Sequence, residues 1–186
     1  MANINDLNDL AIPPIAPVDT GSSDGWRNVE LKLGTELPAD YRTIVSTYGA
    51  GLFSDFIFLL NPFHRSIYGN YHRQIGMTLE AYQSGRDSFP ELCPPFPPFP
   101  EPNGLLPALQ TENGDVGYWI TDGLPSKWPL ILCESRDLTR FDIFEFDLTT
   151  FLVEAIAGRL RTQIFGRLEP FACERAFVPF DGSDQR

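Results

Sequence analysis

The dipeptide Asn113-Gly114 constrains this chain more than any other feature. It lies between two apolar runs, Leu105–Thr111 and Val116–Thr121. Asn-Gly in that setting predicts a tight β-hairpin with both turn residues at positive φ. Asp122-Gly123-Leu124-Pro125 marks a second turn, and Leu130–Cys133 and Phe141–Phe146 read as further strands. Strands joined by short turns pair antiparallel, because a parallel neighbour needs a long crossover. In the last run the buried side changes between Ile143 and Phe144, which predicts a bulge or strand end there.

On either side of this block the apolar spacing becomes helical. Trp26, Val29 and Leu33 predict a helix over Trp26–Leu33 that ends at Gly34. Leu37, Tyr41, Ile44, Val45 and Tyr48 share one face of a second helix, with Pro38 in its first turn and Gly49 as its stop. The run Leu52–Leu60 predicts one strand, closed by Asn61-Pro62. A third helix is expected over Tyr71–Arg86. A last one is capped by Asp147, uses Phe151, Leu152, Ala155 and Ile156, and stops at Gly158. The expected fold is α+β: a single domain with a mainly antiparallel curved sheet and helices packed on one face.

Residues 1–24 carry Pro13, Pro14, Pro17 and a polar run into Gly25, which predicts a flexible N-terminal arm, with Leu7, Leu10, Ile12 and Ile15 available to dock on the body. The domain itself is expected over 25–180, followed by a polar tail, 181–186. Within it, 90–102 holds seven prolines in 13 residues, so neither helix nor central strand is expected there. Two readings suit this stretch. Phe96 and Phe99 pin an extended loop to the body, or the prolines serve as a polyproline ligand. Phe165, Phe171, Phe177 and Phe180 predict that the following segment wraps the body.

Composition narrows the function. Over 186 residues, 14 Lys and Arg oppose 25 Asp and Glu, a net charge of −11, which argues against gripping a phosphate backbone. The longest apolar run, Phe56–Leu60, is far short of a membrane span. The opening Met1–Asp6 lacks the basic start and apolar stretch of a signal peptide. The three cysteines, Cys93, Cys133 and Cys173, form no CxxC pair. Neither a zinc site nor a disulfide framework is indicated, and a reducing cytoplasm is expected.

The catalytic patterns do not cohere. Gly21-Ser22-Ser23-Asp24-Gly25 fits G-x-S-x-G, but no apolar strand precedes it to build a nucleophile elbow. Asp19 with Glu30-Leu31-Lys32 imitates a metal-dependent nuclease. That chemistry needs its carboxylates on paired strands, whereas Glu30 falls in a helix. His64 and His72 lack further ligands at metal-binding spacing. No phosphate-binding glycine loop occurs. The chain is read as no enzyme, with no metal or cofactor; a nuclease stands as a remote alternative.

What remains is an acidic block. Eight acids and three bases lie between Glu112 and Asp147, interleaved with Tyr118, Trp119 and Trp128. The expected partner surface is Glu112, Asp115, Trp119, Asp122, Trp128 and Glu134, with acids steering a basic protein and an exposed tryptophan anchoring it.

Leu37-Pro38-Ala39-Asp40-Tyr41, Tyr48-Gly49-Ala50-Gly51-Leu52-Phe53 and Asn61-Pro62-Phe63 resemble the opening of SUKH superfamily (Smi/Knr-like) domains. Asn113-Gly114-Asp115, Tyr118-Trp119, Gly123-Leu124-Pro125, Trp128-Pro129 and the helix Phe151–Gly158 resemble their second half. The resemblance implies an α+β fold without catalytic residues. It also implies one of two roles. Bacterial relatives are immunity proteins that neutralise a polymorphic toxin, here a basic toxin such as a nuclease. Eukaryotic relatives are regulatory adaptors, which here would bind a host protein through the sheet or the proline-rich loop.

Overall fold

The computed structural model describes residues 1–65, 71–168 and 175–180. Phe171, Cys173, the polar tail 181–186 and the His72 side chain lie outside the described residues. The described helices are α1 (Ile4–Leu10), α2 (Ser23–Leu33), α3 (Ala39–Tyr48), α4 (Tyr71–Ser88) and α5 (Leu148–Ile156). The strands are β1 (Gly51–Phe53), β2 (Ile57–Leu59), β3 (Leu105–Thr111), β4 (Val116–Ile120), β5 (Leu130–Cys133), β6 (Phe141–Phe144) and β7 (Phe177–Pro179). They form one open sheet in the order β6-β5-β4-β3-β2-β1-β7, antiparallel throughout. The α+β reading with an antiparallel sheet holds.

The β3–β4 hairpin lies where Asn113-Gly114 places it, but its turn differs. Gly114 sits at φ 87°, whereas Asn113 is not at positive φ. The Gly114 amide donates to the Thr111 carbonyl (2.9 Å), and the Thr111 amide donates to the Asp115 carbonyl (3.0 Å). Thr111 and Asp115 thus close a three-residue loop, in which only the last residue needs the left-handed region. Pro107 occupies a central strand because the ladder shifts register between Pro107 and Leu109, at a bulge that spares the missing N–H. The run Leu52–Leu60 is a hairpin, not one strand: it reverses over Ser54 and Asp55, both at φ 50°. β6 stops at Phe144, the strand end expected there.

Alternation splits the core in two. Trp119, Leu130, Leu132 and Phe144 face one side, where buried residues of α1, α2, α3 and α5 meet them. Tyr118, Ile131, Cys133 and Leu105 face the other, against Tyr82 of α4 and Phe96 of the proline-rich loop. That loop is fastened down. Tyr82 donates its hydroxyl to the carbonyls of Pro94 (3.1 Å) and Phe96 (2.9 Å), and Pro98 bridges to Leu105. Phe99 packs against the first cluster.

The N-terminal arm, read from its sequence as loosely tethered, is docked on the body through a short helix. Residues 4–10 are helical, started by a capping box between Asn3 and Asp6, and Leu7 and Ala11 are fully buried. Tyr48 donates its hydroxyl to the Ala11 carbonyl (2.7 Å), and the Ala50 amide donates to the Val18 carbonyl (3.3 Å). An apolar stripe on a short helix finds its burial in tertiary contacts, which composition does not reveal. Ser22 caps α2, its hydroxyl accepting from the Gly25 amide (3.1 Å), so the polar run is the first turn of a helix.

Both outer strands are shielded. Beside β6, the Gln163 amide donates to Asp142 (2.8 Å) and its side-chain amide donates to the Phe141 carbonyl (3.1 Å). In β7, Ala176 and Phe180 turn their backbone groups toward β1. The outward positions are then Phe177 and Pro179, and proline offers no N–H to another strand.

Candidate partner-binding surface

The six residues expected to meet a partner have unequal fates. Glu112 and Asp122 are exposed on the loops at the two ends of β4. Asp115 is 2% exposed: it accepts from the Thr111 hydroxyl (2.9 Å) and the Ser135 amide (3.1 Å), tying the hairpin to the end of β5. Glu134 is half-buried and paired with Arg140. Trp119 and Trp128 are 1% and 5% exposed. Trp119 meets Tyr41 edge-on with ring centroids 5.0 Å apart, and Trp128 lies 6.3 Å from Trp119. The Trp128 indole donates to the Gly123 carbonyl (3.3 Å). Both tryptophans are core, so the expected aromatic anchor is not there. Burying side chains of that size stabilises the fold by about 1.5–3 kcal/mol each.

Three more acids of the block, Asp137, Asp142 and Asp147, also have structural duties. Asp147 caps α5 by accepting from the Thr150 amide (2.8 Å). Asp142 accepts from the Thr162 hydroxyl (2.6 Å) as well as from Gln163. Asp137 accepts from the Thr139 hydroxyl (2.6 Å), which holds its carboxyl below the usual range. Glu112 and Asp122 are the two of the six that stand free to steer a partner.

The rejected chemistries resolve into architecture too. Glu30 accepts the Leu37 amide (3.0 Å) and pairs with Arg42 (3.2 Å). Asp19 pairs with His64 (3.1 Å) and Arg65 (3.0 Å). Among the described residues no group of three or more His, Cys, Asp or Glu is placed to hold a metal ion. No described helix is long and apolar enough to cross a membrane.

The motifs shared with the SUKH pattern hold elements together. Asp40 reaches from α3 to α5, accepting from the Thr149 amide (3.1 Å). Burial there raises its pKa above the usual carboxylate value. Tyr41 donates its hydroxyl to the Leu60 carbonyl. Asn61 donates to the Asp19 carbonyl (2.9 Å) and accepts from the Phe63 amide (2.8 Å). These are buried polar groups with partners, which fix how helices and strands meet.

A groove of about 1050 Å³ runs between α2 and α3 past Arg27, Leu31 and Arg42. Its charges balance, with Glu30 and Glu36 beside the two arginines. Two smaller grooves flank α4, of about 460 and 370 Å³. The SUKH_6 family model, described as SMI1-KNR4 cell-wall, matches residues 23–152. No curated protein and no solved structure matches the chain significantly.

Proposed function

Since the chain belongs to the SMI1-KNR4 family of SUKH domains, we propose that it is a non-catalytic, protein-binding domain of the immunity type. It binds a cognate toxin in the cytoplasm and blocks it, and that toxin is a basic protein, most simply a nuclease. The observation that carries this reading is the net charge of −11 on a domain whose buried carboxylates serve the fold. The free acids, Glu112 and Asp122 among them, are left to act at long range. A nuclease receives phosphates in a cationic groove, and an acidic protein covers such a groove by charge and by bulk. Attraction of this kind speeds association and weakens with salt, over a Debye length of about 8 Å at physiological ionic strength.

The test starts with the tagged chain and its native host at low salt. The co-eluting protein is then purified and expressed alone. The expected partner is basic, is toxic by itself, is silenced by this chain, and associates more slowly as salt rises. A neutral or acidic partner, or one without toxicity, overturns the reading.

A further inference from the structure

We infer that a partner docks on the outer side of α4, in the groove between the helix and the fastened proline-rich loop, and that the occupant is an extended basic segment of that partner. The inference rests on the reading of the chain as a binder of a basic protein. It places the energetic contact away from the β3–β4 hairpin.

The groove, about 460 Å³, is lined by Leu79, Glu80, Gln83, Asp87, Pro98 and Phe99, among others. Leu79, Pro98 and Phe99 supply an apolar floor, and Glu80 and Asp87 are exposed on the helical wall. Next to it the chain presents Phe89, 58% exposed, and Leu92, 45% exposed, in the turn that follows α4. Among the described residues Phe89 is the one large aromatic side chain left facing solvent. An exposed phenylalanine and leucine beside an apolar groove mark an interaction site rather than scattered surface.

Charge selects the occupant. From residue 80 to residue 101 the acids are Glu80, Asp87, Glu91 and Glu101, and the single base is Arg86. Arg86 does not face outward: its guanidinium lies over the Tyr82 ring, 5.9 Å from the centroid, with Nη1 buried. Among the groove's lining residues the charged side chains are therefore both acidic, Glu80 and Asp87, beside the neutral Gln83, Ser84 and Ser88 and the apolar floor. Lysine and arginine match both at once, with alkyl stems along Leu79, Pro98 and Phe99 and cationic heads at Glu80 and Asp87. An apolar neighbour in the same segment covers Phe89 and Leu92. On the other face of the sheet the two tryptophans first expected to anchor a partner are buried. The larger α2–α3 groove carries balanced charge.

The experiment uses the full chain, labelled with ¹⁵N, and a short extended peptide of lysine, leucine and proline as probe. The same peptide with glutamate in place of lysine is the control. Shift changes are expected on residues 79–101 with the basic peptide and none with the acidic one. Asp87→Arg combined with Glu80→Arg should weaken binding about tenfold or more, Phe89→Ser about tenfold, and Glu112→Arg hardly at all. All these positions are exposed, and an unchanged spectrum outside the patch verifies the fold of each variant. Changes centred on Glu112 and Asp122, or on the α2–α3 groove, overturn the location while leaving a basic partner in place. No salt-dependent binding anywhere overturns both.

Discussion

Replacing Gly49 with alanine tests how tightly the first twenty residues belong to the body. Gly49 ends α3 at φ 73° and ψ −143°, a region that residues with a side chain avoid. Holding alanine there costs about 1–3 kcal/mol. A Cβ at this position would also meet the Val18 carbonyl oxygen at 1.9 Å. That obstacle is backbone, so no rotamer relieves it, and the segment around Val18 must move. Moving it breaks the Ala50 to Val18 hydrogen bond, a further loss of about 0.5–1.5 kcal/mol. The sum is roughly 2–4 kcal/mol. Gly34 provides the control: it ends α2 at φ 75° and ψ 14°, and an added Cβ there meets nothing within 4 Å. Gly34→Ala should cost only about 1–2 kcal/mol. Urea unfolding of both variants measures the difference through the midpoint at constant slope. In native buffer, Gly49→Ala should also expose residues 1–20 to protease, and Gly34→Ala should not. Equal midpoints and equal protease resistance would refute the seating of the arm against α3.

Three further outcomes follow from buried groups. Asp115→Ala should cost about 1–3 kcal/mol in urea unfolding, because it strands the Ser135 amide and the Thr111 hydroxyl; no loss would return Asp115 to the surface role first expected of it. Burial raises the Asp40 pKa, so the folded state takes up a proton more readily than the unfolded chain, and this residue's contribution to stability falls as pH rises through the raised value. Asp40→Asn keeps an acceptor for the Thr149 amide and should remove that fall; urea midpoints of both proteins between about pH 4 and pH 7 should diverge, and parallel curves would refute the assignment. The Cys133 thiol is buried and pushed up to about 12, so it should resist alkylation in native buffer and react once urea unfolds the chain; rapid native labelling at Cys133, located by peptide mapping, would contradict its place beneath α4.

Local rules made much of the fold legible. Pro38 and Gly49 bracket α3, Asp147 starts α5, and Asn113-Gly114 marks the β3–β4 hairpin, since each acts through its immediate neighbours. The misses share a different cause. Ser54 and Asp55 turn at positive φ without glycine or asparagine, so the first hairpin looked like one strand. β7 is three residues long, ends in proline, and pairs with a strand more than a hundred residues earlier in the chain. The candidate site was less legible still. Tyr118 and Trp119 point to opposite faces of the sheet, and both faces are covered, so alternation could not say which aromatic stays exposed. Acids that look alike in the sequence divide by hydrogen bonding: Asp115 has its partners within the chain, and Glu112 stands in solvent. Phe89 escaped notice because it follows a helix and precedes prolines, where no periodicity reports which way a side chain faces.

The pairing of β7 with β1 also sets a timetable. A ribosome releases β1 early and Phe177–Pro179 more than a hundred residues later. During that interval Gly51, Leu52 and Phe53 present an open strand edge, and Phe177 has not yet reached Tyr48 and Phe53 in the core. Closing so long a loop carries an entropy cost that grows only slowly with its length, so the delay is one of synthesis more than of search. A nascent chain halted before Phe177 would therefore carry a nearly finished sheet with one edge still adhesive. The seating of Phe177 against Tyr48 and Phe53 therefore comes late, after the rest of the described sheet has been synthesised.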